Sequence, residues 1–137
     1  MTYDVQAVES YETTVDGGAA EAAGLLSLFA AAGVSLLAYR AIPIGPRRTR
    51  FILVPNDGSK MAHAATEAEL HMNGPRPALY VRGGDESGAL AEIYARLSGA
   101  GIGLGESAGL ADIHGAYGVI LYLDRDACER ATAALDA

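Results

Sequence analysis

The sequence predicts an α+β fold built from two βαββα modules, with antiparallel strands and the helices on one face. Three observations predict it. First, the chain repeats itself. A shift of 68 positions lays Ala22, Leu25, Leu26 and Phe29 over Leu90, Ile93, Tyr94 and Leu97, and Gly33, Val34 and Leu36 over Gly101, Ile102 and Leu104. Second, both aligned segments carry apolar residues at i, i+3, i+4 and i+7, which is one face of a helix. Third, strand-like runs flank each helix, and a helix with one apolar stripe needs a sheet to cover.

The elements follow in order. The first strand lies within "DVQAVESYETT", Asp4 to Thr14, and its counterpart is "PALYVRG", Pro77 to Gly83. The two amphipathic helices come next. Each ends where a glycine, Gly33 or Gly101, permits a left-handed C′ residue. "VSLLAYRAIPI" and "IGLGESAGL" then read as strands, followed by "RFILVP" and "YGVILYL". The links "GPRRT" and "ADIHGA" have short-loop chemistry. Asp57 and Asp124 are the expected N-caps of the last helix of each copy. The connector "HMNGPRP" reads as a turn, with a short strand before it at Leu70 to Met72. The expected modules are residues 1–72 and 73–137. The chain stops after the second copy's last helix, which leaves that copy without room for a full fourth strand. Modules of this size bury little surface alone, so the halves are expected to share a sheet edge or a helix layer.

Composition narrows the function classes. The 137 residues are half apolar and one-fifth charged, with a net charge of −7. An acidic chain is repelled by phosphate backbones unless positive charge is concentrated, and "PRRTR", Pro46 to Arg50, is the only basic cluster. Nucleic-acid binding is therefore not expected. No apolar run is long enough for a membrane span, and "MTYDVQAVES" lacks a signal-peptide core, so a cytoplasmic protein is expected. A single cysteine, Cys128, excludes an internal disulfide and any CxxC motif, and it reads as a small core residue of the last helix. His63, His71 and His114 lack metal-ligand spacing, so neither metal nor cofactor is expected. No acid/base pair stands out, and an enzyme is not expected.

The stretch "GGDESGALAEIYARLSGAGIGL" resembles the ACT domain, a small ferredoxin-like βαββαβ module. The loop Asp85-Glu86-Ser87-Gly88, the helix opening Ala89-Leu90-Ala91-Glu92-Ile93 and the strand entry Gly101-Ile102-Gly103-Leu104 carry the resemblance. Glu86-Ser87 stands where the family has Arg-Pro, and Gly103 where it has Asn. The first copy is more divergent, with Asp16-Gly17-Gly18 at the loop and Ser35 at the Asn position. The resemblance implies a free-standing pair of ACT-like modules that binds a small molecule, most often an amino acid, at an interface between modules. It implies a regulatory role.

The loop chemistry agrees with a small zwitterion. A helix N-terminus presents unpaired N–H groups and partial positive charge, and glycines let a ligand approach closely. A phosphate is disfavoured, because "GGDESG" is neither GxGxxG nor a lysine-bearing P-loop and brings Asp85 and Glu86. An amino acid satisfies both features: its carboxylate takes the N–H groups at Gly88, Ala89 and Leu90, and its ammonium sits near Asp85, or Asp16 in the other copy. The candidate ligand residues are thus Asp16, Gly17, Gly18, Asp85, Glu86, Ser87, Gly88, Ala89 and Leu90, with Arg40 a further carboxylate holder. The plain alternative is that Asp85 or Ser87 caps the helix and Gly88 serves the turn. Strand edges left by an incomplete second copy need covering, so a homodimer is expected. The competing reading of the whole chain is a protein–protein interaction module without a ligand.

Overall fold

A computed structural model describes residues 2–84, 87–103, 105–112 and 115–136. The chain runs β1 (Asp4–Asp16), α1 (Ala19–Ala31), β2 (Leu36–Gly45), β3 (Arg48–Pro55), α2 (Gly58–Glu67), β4 (Asn73–Gly84), α3 (Ala89–Gly99), β5 (Ser107–Ala111), β6 (Ala116–Leu121) and α4 (Arg125–Asp136). It divides into two compact units, Glu9–Arg76 and Met1–Val8 with Pro77–Ala137. Each is a ferredoxin-like α+β unit of antiparallel strands and two helices.

In the Glu9–Arg76 unit the strand order is β2-β3-β1-β4. β1 pairs antiparallel with β3, from Tyr11 opposite Leu53 to Asp16 opposite Arg48. β2 and β3 form a hairpin closed by Pro46 and Arg47, with Gly45 opposite Arg48. Strand alternation sends Tyr11, Phe51 and Leu53 to one face. There they meet Leu25, Phe29, Val34, Met61, Ala64 and Ala65. The Asp57 carboxylate accepts from the Lys60 amide, and Gly33 follows α1 at φ +80°, so both of these ends form as the sequence predicts.

In the other unit the order is β1-β4-β6-β5. Val81, Val119 and Leu121 pack against Ile93, Leu97, Ala127, Ala131 and Leu135. Asp124 caps α4 through the Ala127 amide at 2.7 Å, and Gly101 sits at φ +72°. Cys128 belongs to this core, and burial pushes its thiol up, so it is unreactive packing.

Several sequence expectations change, among them the start of β5, which falls at Ser107 and not at Ile102. The repeat groups residues 1–72, but the first residues belong with Pro77–Ala137. They supply a strand to that unit: Tyr3 and Val5 pack into its core, and Asp4 pairs with Arg82 at 3.4 Å. In the "HMNGPRP" connector Leu70 to Met72, expected as a short strand, is not strand, whereas strand β4 starts at Asn73. Gly74 makes this possible, because at φ +134° a Cβ would stand 2.9 Å from the Ser10 carbonyl. Leu90 is 53 % exposed, whereas Ala89 is buried, so the apolar stripe of α3 starts one residue earlier than the repeat suggests.

A polar network fastens the N-terminal strand. The Tyr3 hydroxyl donates to Glu92 Oε2 at 2.9 Å, and Glu92 Oε1 accepts from Arg96 Nη2 at 2.9 Å. Arg96 also lies 5.3 Å from the Tyr3 ring centroid and donates to the Leu135 carbonyl. The Tyr3 hydrogen bond, with Arg96 adding to it against the opposing effect of burial, holds the Glu92 carboxyl below its ordinary value. Burial, then the Glu92 hydrogen bond, pushes Tyr3 up to about 12. A depressed carboxyl contributes stability above its ordinary range and loses it as pH falls through the folded value. A raised phenol contributes below its ordinary value and loses it as pH rises towards the folded one. Wild type is therefore expected to exceed Tyr3→Phe in melting temperature most between about pH 5 and pH 10. The difference should shrink on both sides. A difference that stays constant from pH 3 to pH 12 would show that the network does not titrate as described.

Candidate functional site

The two predicted loops differ in what their backbone amides already hold. In the first, Gly17 adopts φ +123° and its amide donates to the Arg47 carbonyl at 2.6 Å. The Gly18 amide donates to Glu21 Oε1 at 2.9 Å. Glu21 is the third residue of α1, so it reaches back as a helix-start carboxylate does. Asp16 pairs with Arg48 at 3.0 Å. A carboxylate of the chain's own thus occupies the position that a ligand carboxylate would take, and a Cβ on Gly17 would run into it.

The second loop is arranged otherwise. Asp85 and Glu86 lie outside the described residues. Gly88 stands at φ +85° as the N-cap of α3, a backbone setting that suits glycine. Among the described residues no side chain caps the first turn of α3. Glu92, the acidic residue of that turn, is turned to Tyr3 and Arg96. A Cβ on Gly84 or on Gly88 would meet none of the described residues within 4 Å. Ser87 and Leu90 are exposed, and Ala89 is buried with its carbonyl near the Tyr3 hydroxyl. Amides at a helix start carry partial positive charge, and among the described residues those of α3 have no side-chain partner. Beside it, Gly83 leaves room for the Tyr117 ring of the neighbouring strand, whose hydroxyl would stand 2.7 Å from an added Cβ.

Arg40 does not join the first loop. It is half-buried on β2 opposite Ile52, which pairs in turn with Glu12. Glu12 precedes Asp16 by four residues of strand, about 13 Å along β1. Of the histidines, His63 pairs with Glu67 on the surface of α2, His71 is exposed, and His114 lies outside the described residues. Among the described residues, no group of three metal-ligating side chains occurs, and no helix is long and apolar enough to cross a membrane.

Sequence reasoning missed a cleft of about 290 Å³ at the other end of α3, lined by Tyr94, Leu97 and Ser98, by Ile102, Gly103, Gly105, Glu106 and Ser107, and by Leu121 and Leu123. The Tyr94 hydroxyl and the Ser107 hydroxyl are hydrogen-bonded across it. The glycine-rich run "GIGLGES" was the available signal, but it reads equally as strand.

No family model matches the sequence, and no curated protein matches it. Solved structures do match in fold. A protein from Bacteroides thetaiotaomicron has a TM-score of 0.79 at 14 % identity, covering 94 % of this chain and 88 % of that one. The regulatory subunit of aspartate kinase from Thermus thermophilus, in its ligand-free form, has a TM-score of 0.66 at 14 % identity, covering 98 % and 93 %. The corresponding subunit from Thermus flavus gives 0.61 at 13 % identity, covering 98 % and 95 %. The likeness supports an ACT-like fold for this chain.

Proposed function

We propose that the chain is a non-catalytic regulatory protein, a pair of ACT-like modules, that binds a small molecule, most fittingly an amino acid, at the loop entering α3. The contrast between the two loops carries this reading. The first spends its amides on Arg47 and Glu21, whereas among the described residues no side chain caps the helix start of the second. A ligand carboxylate would do at Gly88 to Leu90 what Glu21 does at Gly18. Exposed Leu90 would give the ligand an apolar neighbour, and Asp85 would take the ammonium. The likeness to regulatory subunits of aspartate kinase points the same way. On this reading a module from a second copy of the chain closes the site, so that ligand and dimerisation are coupled. A ligand shifts that equilibrium only by its differential affinity for the two states.

A thermal-shift screen of the twenty amino acids tests it. One amino acid should raise the melting temperature selectively, as a ligand that binds only the folded state must. No shift from any of them would favour the second reading, a ligand-free protein–protein interaction module. That reading has an observation of its own, the exposed Leu37, Tyr39 and Ile44 on β2.

A further inference from the structure

The carboxylates of the chain are unevenly placed. None occurs from Ala22 to Asn56, although the chain has 17 of them. The same stretch holds four arginines, so it carries +4 in a chain of net charge −7, and the remaining residues carry −11. It contains most of α1 and the whole of β2 and β3. β3 lies between β2 and β1, whereas β2 is an edge. β1 supplies counter-charges to two of the arginines, Asp16 to Arg48 at 3.0 Å and Glu12 to Arg50 at 3.4 Å. Arg40 is half-buried and has interactions of its own. Arg47 is exposed at the hairpin tip and makes no ion pair among the described residues. Its φ of +67° is a setting that glycine normally takes after a proline such as Pro46.

The register of β2 on β3 defines what the open side of β2 offers. It slips at Leu37 and again at Ile44, and both of these bulged side chains are exposed. Between them Ala38 to Pro43 pair regularly with Val54 to Thr49. That leaves a window of six residues, about 20 Å long, with no strand among the described residues on its outer side. Alternation puts Tyr39, Ala41 and Pro43 on one face of it, and all three are exposed. An edge of this kind is a template for one more strand.

We propose that β2 is a docking edge for an extended segment of another protein that alternates apolar and acidic residues. Strand addition supplies backbone hydrogen bonds. Tyr39, Ala41 and Pro43 meet the apolar side chains, and Arg47, in surroundings without a carboxylate, selects the acidic ones. A second copy of the chain fits this edge less well. Its own β2 and hairpin tip bring arginines and no carboxylate, and the bulges and Pro43 confine pairing to a short window. A nucleic acid is disfavoured by the −11 carried elsewhere. β2 serves as such an edge whether or not the loop entering α3 holds a ligand.

The test is an NMR titration of the isotope-labelled whole chain with three blocked peptides of about seven residues, enough to span the window. One alternates valine with glutamate and the second valine with lysine. The third is the first with N-methyl groups at alternate residues, which remove the backbone donors of one edge. The glutamate peptide is expected to shift the amides of Ala38 to Ile42 and to bind about tenfold more tightly than the lysine peptide. The N-methylated peptide is expected not to bind. Arg47→Gly suits the left-handed turn and should weaken the glutamate peptide about threefold, the loss of one exposed ion pair. Tyr39→Glu, at a position 63 % exposed, should weaken it more and leave the mass by light scattering unchanged. Gly84→Val, beside the loop entering α3, should leave the peptide titration unchanged, so that this edge and that loop are tested separately. No shift from the glutamate peptide, equal affinity for the lysine peptide or undiminished binding of the N-methylated one would overturn the proposal. A mass halved by Tyr39→Glu would also overturn it, because the edge would then belong to a second copy.

Discussion

Deletion of Met1 to Val8 is expected to open the Pro77–Ala137 unit, although none of the deleted residues belongs to its sequence repeat. Tyr3 and Val8 are buried, and Val5 packs against the same core as Ile93 and Leu135. Full burial of an apolar side chain stabilises by about 1.5–3 kcal/mol, so losing Tyr3 and Val8 alone costs about 3–6 kcal/mol. That is comparable to the whole stability of a small domain. The deletion also strips Glu92 of its Tyr3 partner and Arg82 of Asp4. Hydrogen exchange followed by mass spectrometry should show loss of protection across β4, α3, β6 and α4. Protection unchanged in these elements would mean that the N-terminal strand does not complete the unit.

Phe29→Ala is expected to destabilise the chain by about 3–5 kcal/mol, the usual cost of emptying a large core position. Phe29 is 1 % exposed and packs with Leu25, Val34, Phe51, Leu53 and Met61. Its carbonyl also accepts the Val34 amide that closes the end of α1, so the surrounding backbone has little freedom to collapse into the void. Leu37→Ala, on the exposed edge strand, serves as the comparison and should cost under about 0.5 kcal/mol. Urea denaturation reads both. A Phe29→Ala cost below about 1 kcal/mol would contradict the packing described.

What was legible in the sequence was local. The helix stripes, save for exposed Leu90, the left-handed Gly33 and Gly101 and the caps at Asp57 and Asp124 follow from residues within a turn or two of one another, and each appears in the fold. What was not legible was distant. Tyr3 meets Glu92 across 89 positions of sequence, and no spacing rule announces that an N-terminal strand closes a C-terminal unit. The strand character of Asn73 to Arg76 was hidden by turn residues, because Gly74 serves a close approach to Ser10 instead of a reversal. At the site, sequence placed the two loops at helix starts, with the first more divergent, but left open which of them binds. The difference rests on Glu21, three residues into its helix, where α3 has Ala91. The start of β5 was set too early, which concealed the cleft, since glycines at 103 and 105 fit a strand pattern without committing to one.

The central claim concerns the open loop, and calorimetric titration of the amino acid selected by the thermal screen tests it most directly. It would be run on wild type, Gly84→Val and Gly18→Val. Neither added side chain has a neighbour among the described residues within 4 Å at its Cβ, and neither glycine has a positive φ, so both variants should fold. Gly84→Val fills the space before α3 and is expected to weaken binding at least tenfold. Gly18→Val alters a loop already occupied by Glu21 and is expected to leave affinity unchanged. Equal affinity in all three proteins would place the ligand elsewhere and contradict the account.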